Sequence, residues 1–337
     1  MKLVLYIDLI TKAGHRKFNQ LVINALRKEF KILTVASREA TDSIPDLEIP
    51  DRFLNFSSRF NYRIKILQEI DWIIEKIISF GKFDLVLFSS YETISFAIKS
   101  HRIVGLFENV AVFDHNNIDE IERSRIKKLF FKSIDTNVTH LVFEEYFKTH
   151  LIENVKIKNN VVVVPHLVED KKTFLDPVRD WITVFVPSNK CDDQYIKKLI
   201  LGSSPDIRFV IKSDKHFAGQ NVRAVPSFEN DEYENVFADC NFVILPLTVD
   251  YNYRISNIIF ECFSYSKPCF TFRNKMSEFL SNLYPSIVHI IDRGTLLDEI
   301  VDEYKKIDKD SFFIERKQFL HSHSESAFLN GIRKLPI

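Results

Sequence analysis

Two doubly wound α/β domains in tandem are encoded in this chain of 337 residues, and three observations point to them. Short β-branched and aliphatic runs alternate with amphipathic stretches from end to end, the pattern of parallel strands joined by crossover helices. The length exceeds what one core comfortably serves, so two domains are the default expectation. A polar stretch without periodicity, from Glu169-Asp170-Lys171-Lys172-Thr173 to Pro177-Val178-Arg179-Asp180, separates the two series.

The first series places strands at 2–8, 31–36, 83–88, 110–114, 138–142 and 161–164, with helices near 15–29, 58–80, 91–100, 118–134 and 144–153. Leu21, Val22, Ala25 and Leu26 form an apolar stripe on the first helix, interrupted by Asn19. Leu85-Val86-Leu87-Phe88 is apolar on both faces, as a central parallel strand should be. The second series places strands at 182–187, 207–211, 222–225, 242–246, 268–272 and 287–291, and helices near 191–202, 229–239, 255–266, 274–282 and 294–307. Helical stretches at 311–321 and 324–333 close the chain. The expected division is a first domain over 1–167, a linker over 168–180, a second domain over 181–310, and closing helices over 311–337 for which the first domain is a candidate packing partner. Ligands of such sheets sit at the carboxyl ends of the strands, so two strand-end surfaces facing each other across a cleft form the expected site.

Lys+Arg and Asp+Glu both number 46, so the net charge is zero and a general nucleic-acid binder is excluded as the first reading. The four cysteines, Cys191, Cys240, Cys262 and Cys269, lie in the second half without CxxC spacing and read as buried reduced thiols of a cytoplasmic protein. No apolar run approaches the roughly 18 residues of a membrane span. The opening run Met1-Lys2-Leu3-Val4-Leu5-Tyr6-Ile7 is closed by Asp8 and reads as a first strand, not a targeting segment. The 31 phenylalanines reflect composition and core and carry no chemistry.

Polar residues follow predicted strands in four places. Thr11-Lys12-Ala13-Gly14-His15-Arg16 joins the first strand to the first helix, where Gly14 permits a tight turn and His15 stands at the helix entrance. Asp114-His115-Asn116-Asn117 follows the strand at 110–114; Asn117 alone reads as a helix cap, and His115 can exchange a proton near neutral pH. Pro187-Ser188-Asn189-Lys190 and Lys212 offer two lysines that are either phosphate ligands or solvated surface groups. The fourth is Tyr251-Asn252-Tyr253-Arg254-Ile255-Ser256-Asn257-Ile258-Ile259-Phe260-Glu261, a loop entering a helix. Free N–H groups at Ser256, Asn257 and Ile258, the helix dipole and the forked Arg254 guanidinium suit an anion there.

Two clusters read otherwise. His321-Ser322-His323 lacks an acid or cysteine set and reads as a surface loop, so no metal site is expected. Arg123, Arg125, Lys127, Lys128 and Lys132, interleaved with Leu129, Phe130 and Phe131, read either as a solvated helix face or as an anionic-membrane contact over 123–132.

The run from Glu232 to Leu247, then Tyr253-Arg254-Ile255-Ser256-Asn257-Ile258-Ile259-Phe260-Glu261 and Lys267-Pro268, resembles the donor domain of GT-B glycosyltransferases of the retaining, family 4 type. Gly14-His15, His115-Asn116-Asn117 and Val161-Val162-Val163-Val164-Pro165-His166 agree in the first half, so the resemblance covers nearly the whole chain. It implies two Rossmann-like domains facing each other across a cleft, the first for the acceptor and the second for a nucleotide-sugar donor. By the same resemblance Glu261 binds the ribose, Arg254, Lys190 and Lys212 with the helix-entrance amides hold the diphosphate, and His115 lies near the transferred sugar. Arg254 and His115 are then the catalytic candidates, with Gly14, His15, Asn116, Asp250 and Tyr253 around the donor sugar and acceptor. The family often carries a second glutamate eight residues before the one matching Glu261, and Tyr253 stands there, with Asp250 as a substitute. Asn257 and Ser266 stand where glycine is frequent, as does Ala13.

The implied activity is metal-independent, retaining chemistry of the family's kind: transfer of a hexose from a nucleotide sugar, the co-substrate in place of any cofactor, to a saccharide or lipid-linked saccharide in bacterial glycan synthesis. The implied location is the cytoplasm or the inner face of the membrane. Two other readings stay open, a GT-B-fold scaffold without catalysis, motivated by Tyr253, and a nucleotide-sugar epimerase.

Overall fold

The computed structural model describes residues 1–9, 15–54, 59–171, 180–247 and 251–337. They divide into two compact units, Met1–Leu167 with His323–Ile337, and Val168–Ser322. The first holds seven strands: β1 (Leu3–Asp8), β2 (Lys31–Ala36), β3 (Leu47–Glu48), β4 (Leu85–Ser90), β5 (Val110–Phe113), β6 (Val138–Val142) and β7 (Val161–Val163). All pair in parallel in the order β3-β2-β1-β4-β5-β6-β7. The second holds β8 (Ile182–Val186), β9 (Ile207–Lys212), β10 (Val222–Val225), β11 (Phe242–Leu245), β12 (Cys269–Phe272) and β13 (Val288–Ile291), also parallel, in the order β10-β9-β8-β11-β12-β13. Each is a doubly wound α/β sheet whose strand order reverses once, between β1 and β4 and between β8 and β11.

Burial explains the strand sequences. Every residue of β4, β5, β6 and β11 is buried, which selects the continuous apolar runs of strands covered on both faces. The polar exceptions are Thr139 and His140 inside β6, and Ser89 and Ser90 at the carboxyl end of β4. A register shift at Ile7/Asp8 brings Asp8 opposite Ser90, so the ends of β1 and β4 carry polar side chains into the reversal point.

Several elements differ from the sequence reading. The two-residue β3 and the short helix Asp51–Leu54 carry too few residues for a periodic signal. The stretch read as one helix over 118–134 is two, Asn117–Arg123 and Arg125–Lys132. Ser124 between them is extended, with φ −133° and ψ 109°, and its hydroxyl accepts from the Lys127 N–H at 3.3 Å. A serine at such a break is an ordinary helix-start signal, masked here by continuous amphipathic spacing. The helix Glu145–Thr149 passes into a wider π-type turn, His150–Val155, that ends at Lys156 with φ 60°.

The carboxyl-terminal stretch does not act as one piece. Helix Lys309–Ser322 belongs to the second unit, where Phe319 stacks on Phe263 at 3.7 Å and Glu315 accepts from the Ser286 N–H at 2.9 Å. Helix Glu325–Ile332 belongs to the first, with Phe328 fully buried. A side chain at Gly331 would meet the Val163 carbonyl oxygen and Val164 Cα at 3.1 Å, so glycine allows this helix to lie on the chain leaving β7. Of the expected linker, residues 172–179 lie outside the described ones. Glu169 and Lys171 are tied to the second unit through Ser264, Lys171 N–H donating to its carbonyl at 3.2 Å.

All four cysteines are buried free thiols, and burial pushes that of Cys240 up to about 12. Among the described residues no helix is long and apolar enough to cross a membrane.

Candidate functional site

At the reversal point of the first sheet, Asp8 is the anchor. Its carboxylate accepts from Asn19 Nδ2 at 2.6 Å and from the Ser90 hydroxyl. Asn19 is the polar interruption on helix Arg16–Leu26, and its burial is complete. Its Oδ1 accepts from the Tyr6 and Ser89 hydroxyls at 2.8 and 2.6 Å, and its Nδ2 also donates to the Ala40 carbonyl at 3.0 Å. One amide thus pins β1, β4 and a helix together beneath the strand ends.

Above this network the rings of His15 and His115 stack, with centroids 4.5 Å apart and planes 25° apart. Phe18 meets His115 edge-on at 4.6 Å, and Phe143 lies at 5.0 Å. Burial lowers the His15 pKa, a shift that the nearby Asp8 opposes, so His15 is neutral near pH 7. Burial likewise pushes His166, packed between Phe18 and Phe143, down to about 3.

Asp114, fully buried, turns away from the opening. It accepts from the Tyr91 hydroxyl and faces His140 Nδ1 at 3.0 Å. Asn116, exposed, is the N-cap of helix Asn117–Arg123. Asn117 is buried and donates to the Tyr91 carbonyl at 3.2 Å and to the Thr93 hydroxyl at 3.1 Å.

His15, His115 and Asn116 line one cavity of about 490 Å³ together with Tyr62, Arg63, Ser90, Tyr91, Glu92, Glu120 and Lys127. Sequence reasoning missed most of that wall. Ser89-Ser90 ends β4 and Tyr91-Glu92 follows it, much as Asp114-His115-Asn116-Asn117 follows β5, so the same strand-end argument would have found this wall. Tyr62 and Arg63 sit inside helix Arg59–Ile77 and carry no sequence signal. Gly14 lies outside the described residues.

At the reversal point of the second sheet, the loops after β8 and β11 are joined by a bridge between Cys191 and Leu247. Asp192 N–H donates to the Pro246 carbonyl at 3.1 Å. Lys190, exposed, lies in the first of these loops, and Lys212 ends the neighbouring β9. The second loop leads to helix Asn257–Ser264, whose N-cap Ser256 makes no side-chain capping bond. The first-turn N–H groups of Asn257 and Ile258 are therefore not met by the cap side chain, whereas the Ser256 N–H, expected to be free, donates to Met276 Sδ at 3.2 Å.

Arg254 lies with its guanidinium 4.7 Å from the Tyr251 ring centre, and its buried Nε has no hydrogen-bond partner among the described residues. Tyr253 is buried, its hydroxyl bonded to the Lys275 ammonium, which also sits 4.5 Å from the Tyr253 ring centre. Lys275 opens the helix after β12 and no motif had marked it. Glu261, half-buried on the second turn, accepts from the Tyr233 hydroxyl at 2.7 Å. Asp250 lies outside the described residues.

The structure thus gathers Arg254, Ser256, Asn257, Ile258 and Tyr253 at one helix entrance, with Glu261 one turn on, and His15, His115 and Asn116 around one cavity of the other unit. A larger groove of about 780 Å³ along edge strand β13 holds Glu278, Glu299 and Glu303 but none of these residues. His321 is exposed at the end of its helix, and buried His323 faces Glu144 at 3.2 Å. Among the described residues no three histidine, cysteine or acidic side chains are grouped to hold a metal ion.

No protein-family model matches the sequence, and no curated protein matches it. Solved structures match over the whole chain. Sucrose-phosphate synthase from Thermosynechococcus elongatus aligns over 97% of this chain and 96% of its own at TM-score 0.68 and 13% identity. HepE of Anabaena, in complex with UDP, aligns over 99% of both chains at TM-score 0.66 and 9% identity. The lipopolysaccharide outer core galactosyltransferase WaaB, in its apo form, aligns over 98% of this chain and 99% of its own at TM-score 0.65 and 10% identity. The likeness shows the fold: this chain has the two Rossmann-like domains of the GT-B architecture.

Proposed function

We propose that the protein transfers a hexose from a nucleotide-sugar donor to a saccharide acceptor. The observation that carries this reading is the buried Arg254 Nε without a hydrogen-bond partner among the described residues, beside a helix entrance that its N-cap side chain leaves uncapped at the reversal point of the second sheet. A diphosphate would supply an acceptor for that Nε and for the Asn257 and Ile258 amides. Glu261 takes the ribose hydroxyls, its carboxylate oriented by Tyr233. Lys190, Lys212 and Lys275 add positive charge at the same strand ends. HepE of Anabaena in complex with UDP, and again with UDP-glucose, supports a nucleotide-sugar donor by analogy of fold.

In the proposed reaction the bond from the anomeric carbon to the phosphate oxygen breaks, and a bond to the acceptor oxygen forms on the same face. The acceptor proton passes to the departing diphosphate. Arg254 and the helix-entrance amides stabilise the charge that develops on that leaving group, the main catalytic contribution in this mechanism, with no cofactor required. His115 orients the transferred sugar and the acceptor hydroxyl.

The acceptor is lipid-linked in this reading. Helix Arg125–Lys132 presents Ile126 and Leu129, 65% and 69% exposed, beside Arg125 and Lys132, while Lys127 and Lys128 are engaged by Glu120 and Glu122. That face suits an anionic membrane surface at the inner leaflet. Sedimentation with anionic and with neutral liposomes tests it: equal recovery in both supernatants rejects it.

A hydrolysis screen over nucleotide sugars tests the activity, because slow hydrolysis identifies the donor without knowledge of the acceptor. Glu261→Ala is expected to weaken nucleotide binding, and His115→Ala to depress transfer more than binding. Calorimetry showing that no nucleotide binds would replace this reading with a scaffold, and isomerised donor without acceptor would replace it with an epimerase.

A further inference from the structure

The cavity between β1, β4 and β5 carries full charges, and their arrangement has chemical meaning. Arg63 Nε lies 3.6 Å from Glu92 Oε1. The other Glu92 oxygen caps helix Thr93–Leu106, accepting from the Ser95 N–H and hydroxyl at 2.8 Å each. Lys127 Nζ lies 2.6 Å from Glu120 Oε2. The two cations and two carboxylates of the lining are therefore matched within the lining itself.

An anion entering this cavity meets Glu92 and Glu120 at close range along with the two cations, and Glu92, 6% exposed, has little water to screen that repulsion. An uncharged polyol meets no such repulsion. Its hydroxyls donate to carboxylate oxygens already held in place and accept from guanidinium and amide N–H groups. Tyr62, Tyr91, His15 and His115 add aromatic rings to the same lining, the kind of side chain that meets the apolar side of a pyranose. The volume, about 490 Å³, falls in the range of about 300–1,000 Å³ usual for small-molecule sites.

We propose that this cavity seats an uncharged sugar and rejects phosphorylated and uronic ones, with Tyr62, Arg63, Glu92, Glu120 and Lys127 as its specificity-determining residues. That the sugar is the acceptor rests on the glycosyl-transfer reading; that the ligand is uncharged does not.

The test is binding to the full chain, read from the ring resonances of His15 and His115 in histidine-labelled protein. The probes are methyl glucoside, methyl galactoside and methyl N-acetylglucosaminide, against the matching 6-phosphates and uronates. Saturable shifts with at least one neutral sugar are expected, with its charged counterparts weaker by about tenfold or more. Glu120→Gln releases Lys127 and is expected to narrow that gap by about threefold or more. Equal or tighter binding of the charged sugars overturns the proposal, as does the absence of shifts with every neutral sugar. A gap unchanged in Glu120→Gln overturns the assignment of specificity to the Glu120–Lys127 pair. Hexoside binding in a protein that neither binds nor hydrolyses any nucleotide sugar defeats the glycosyl-transfer reading alone. Donor hydrolysis without hexoside binding defeats this inference alone.

Discussion

The strand-end surfaces of the two units are built on the same topology and differ in how their charges are matched. In the first, Arg63 and Lys127 are matched by Glu92 and Glu120, and burial keeps His15 neutral. In the second, Lys190, Lys212, Arg254 and Lys275 make no ion pair with a carboxylate among the described residues. A surface whose charges cancel in place suits a ligand without charge, and one with unmatched cations at a helix entrance suits an anion. The two units therefore differ in how their carboxylates are placed, and that difference is what the proposed transfer would draw on.

The largest effect expected from breaking this contrast concerns the neutral histidines of the first unit. His166 packs against Phe18, the ring that also meets His115 edge-on. Burial pushes its pKa down to about 3, from the ordinary histidine value of about 6.5. Between these values the unfolded chain binds the extra proton, so His166 contributes stability that is fully present above about pH 6.5 and is lost as pH falls towards 3. The contribution is on the order of a few kcal/mol. Urea unfolding from pH 7 to 4, followed by Trp72 fluorescence in a Trp181→Phe background, should show this slope, and His166→Gln should flatten it. An unchanged slope would mean that the wall behind His115 is wet, and the contrast between the units would lose its first half.

Arg254→Ala attacks the second half. A hydrogen bond to a charged group contributes about 1.5–3 kcal/mol, so affinity for a nucleoside diphosphate should fall by roughly tenfold to a hundredfold. Raising the salt to about 1 M, where the Debye length is about 3 Å, should weaken the same binding in the unmodified protein. Neither change should alter hexoside shifts at His15 and His115. Calorimetry that finds nucleotide binding indifferent to both would remove the anion site from this helix entrance.

How much of this was legible depended on where each residue stood. The doubly wound architecture was readable because its strands are long apolar runs and its punctuation is polar. His15, His115 and Arg254 were readable because each directly follows a strand or precedes a helix, where polar side chains stand out against an apolar pattern. Asn19 showed only as a flaw in a stripe, although it holds β1 to β4. Tyr62 and Arg63 were not readable at all, since a tyrosine and an arginine on an amphipathic helix match any solvated face. Lys275 was hidden in the same way, because its meaning comes from Tyr253, 22 residues earlier in the chain.

That pair gives the smallest and most discriminating expectation. Tyr253 stands where the resembling family often has a carboxylate, and its hydroxyl holds the Lys275 ammonium close to its own ring. Tyr253→Phe keeps the ring face and removes the hydroxyl, which leaves Lys275 able to turn towards a bound diphosphate. One neutral partner is worth about 0.5–1.5 kcal/mol, so nucleoside diphosphate affinity should rise by roughly threefold. Donor hydrolysis should then change little, because the cation has been redirected and nothing that touches the sugar has been lost. The opposite result, unchanged diphosphate affinity with slower hydrolysis, would make the Tyr253 hydroxyl itself the sugar contact. The unmatched charge of the second unit would then stop at the phosphates, and donor choice would rest on the neutral Tyr253 hydroxyl.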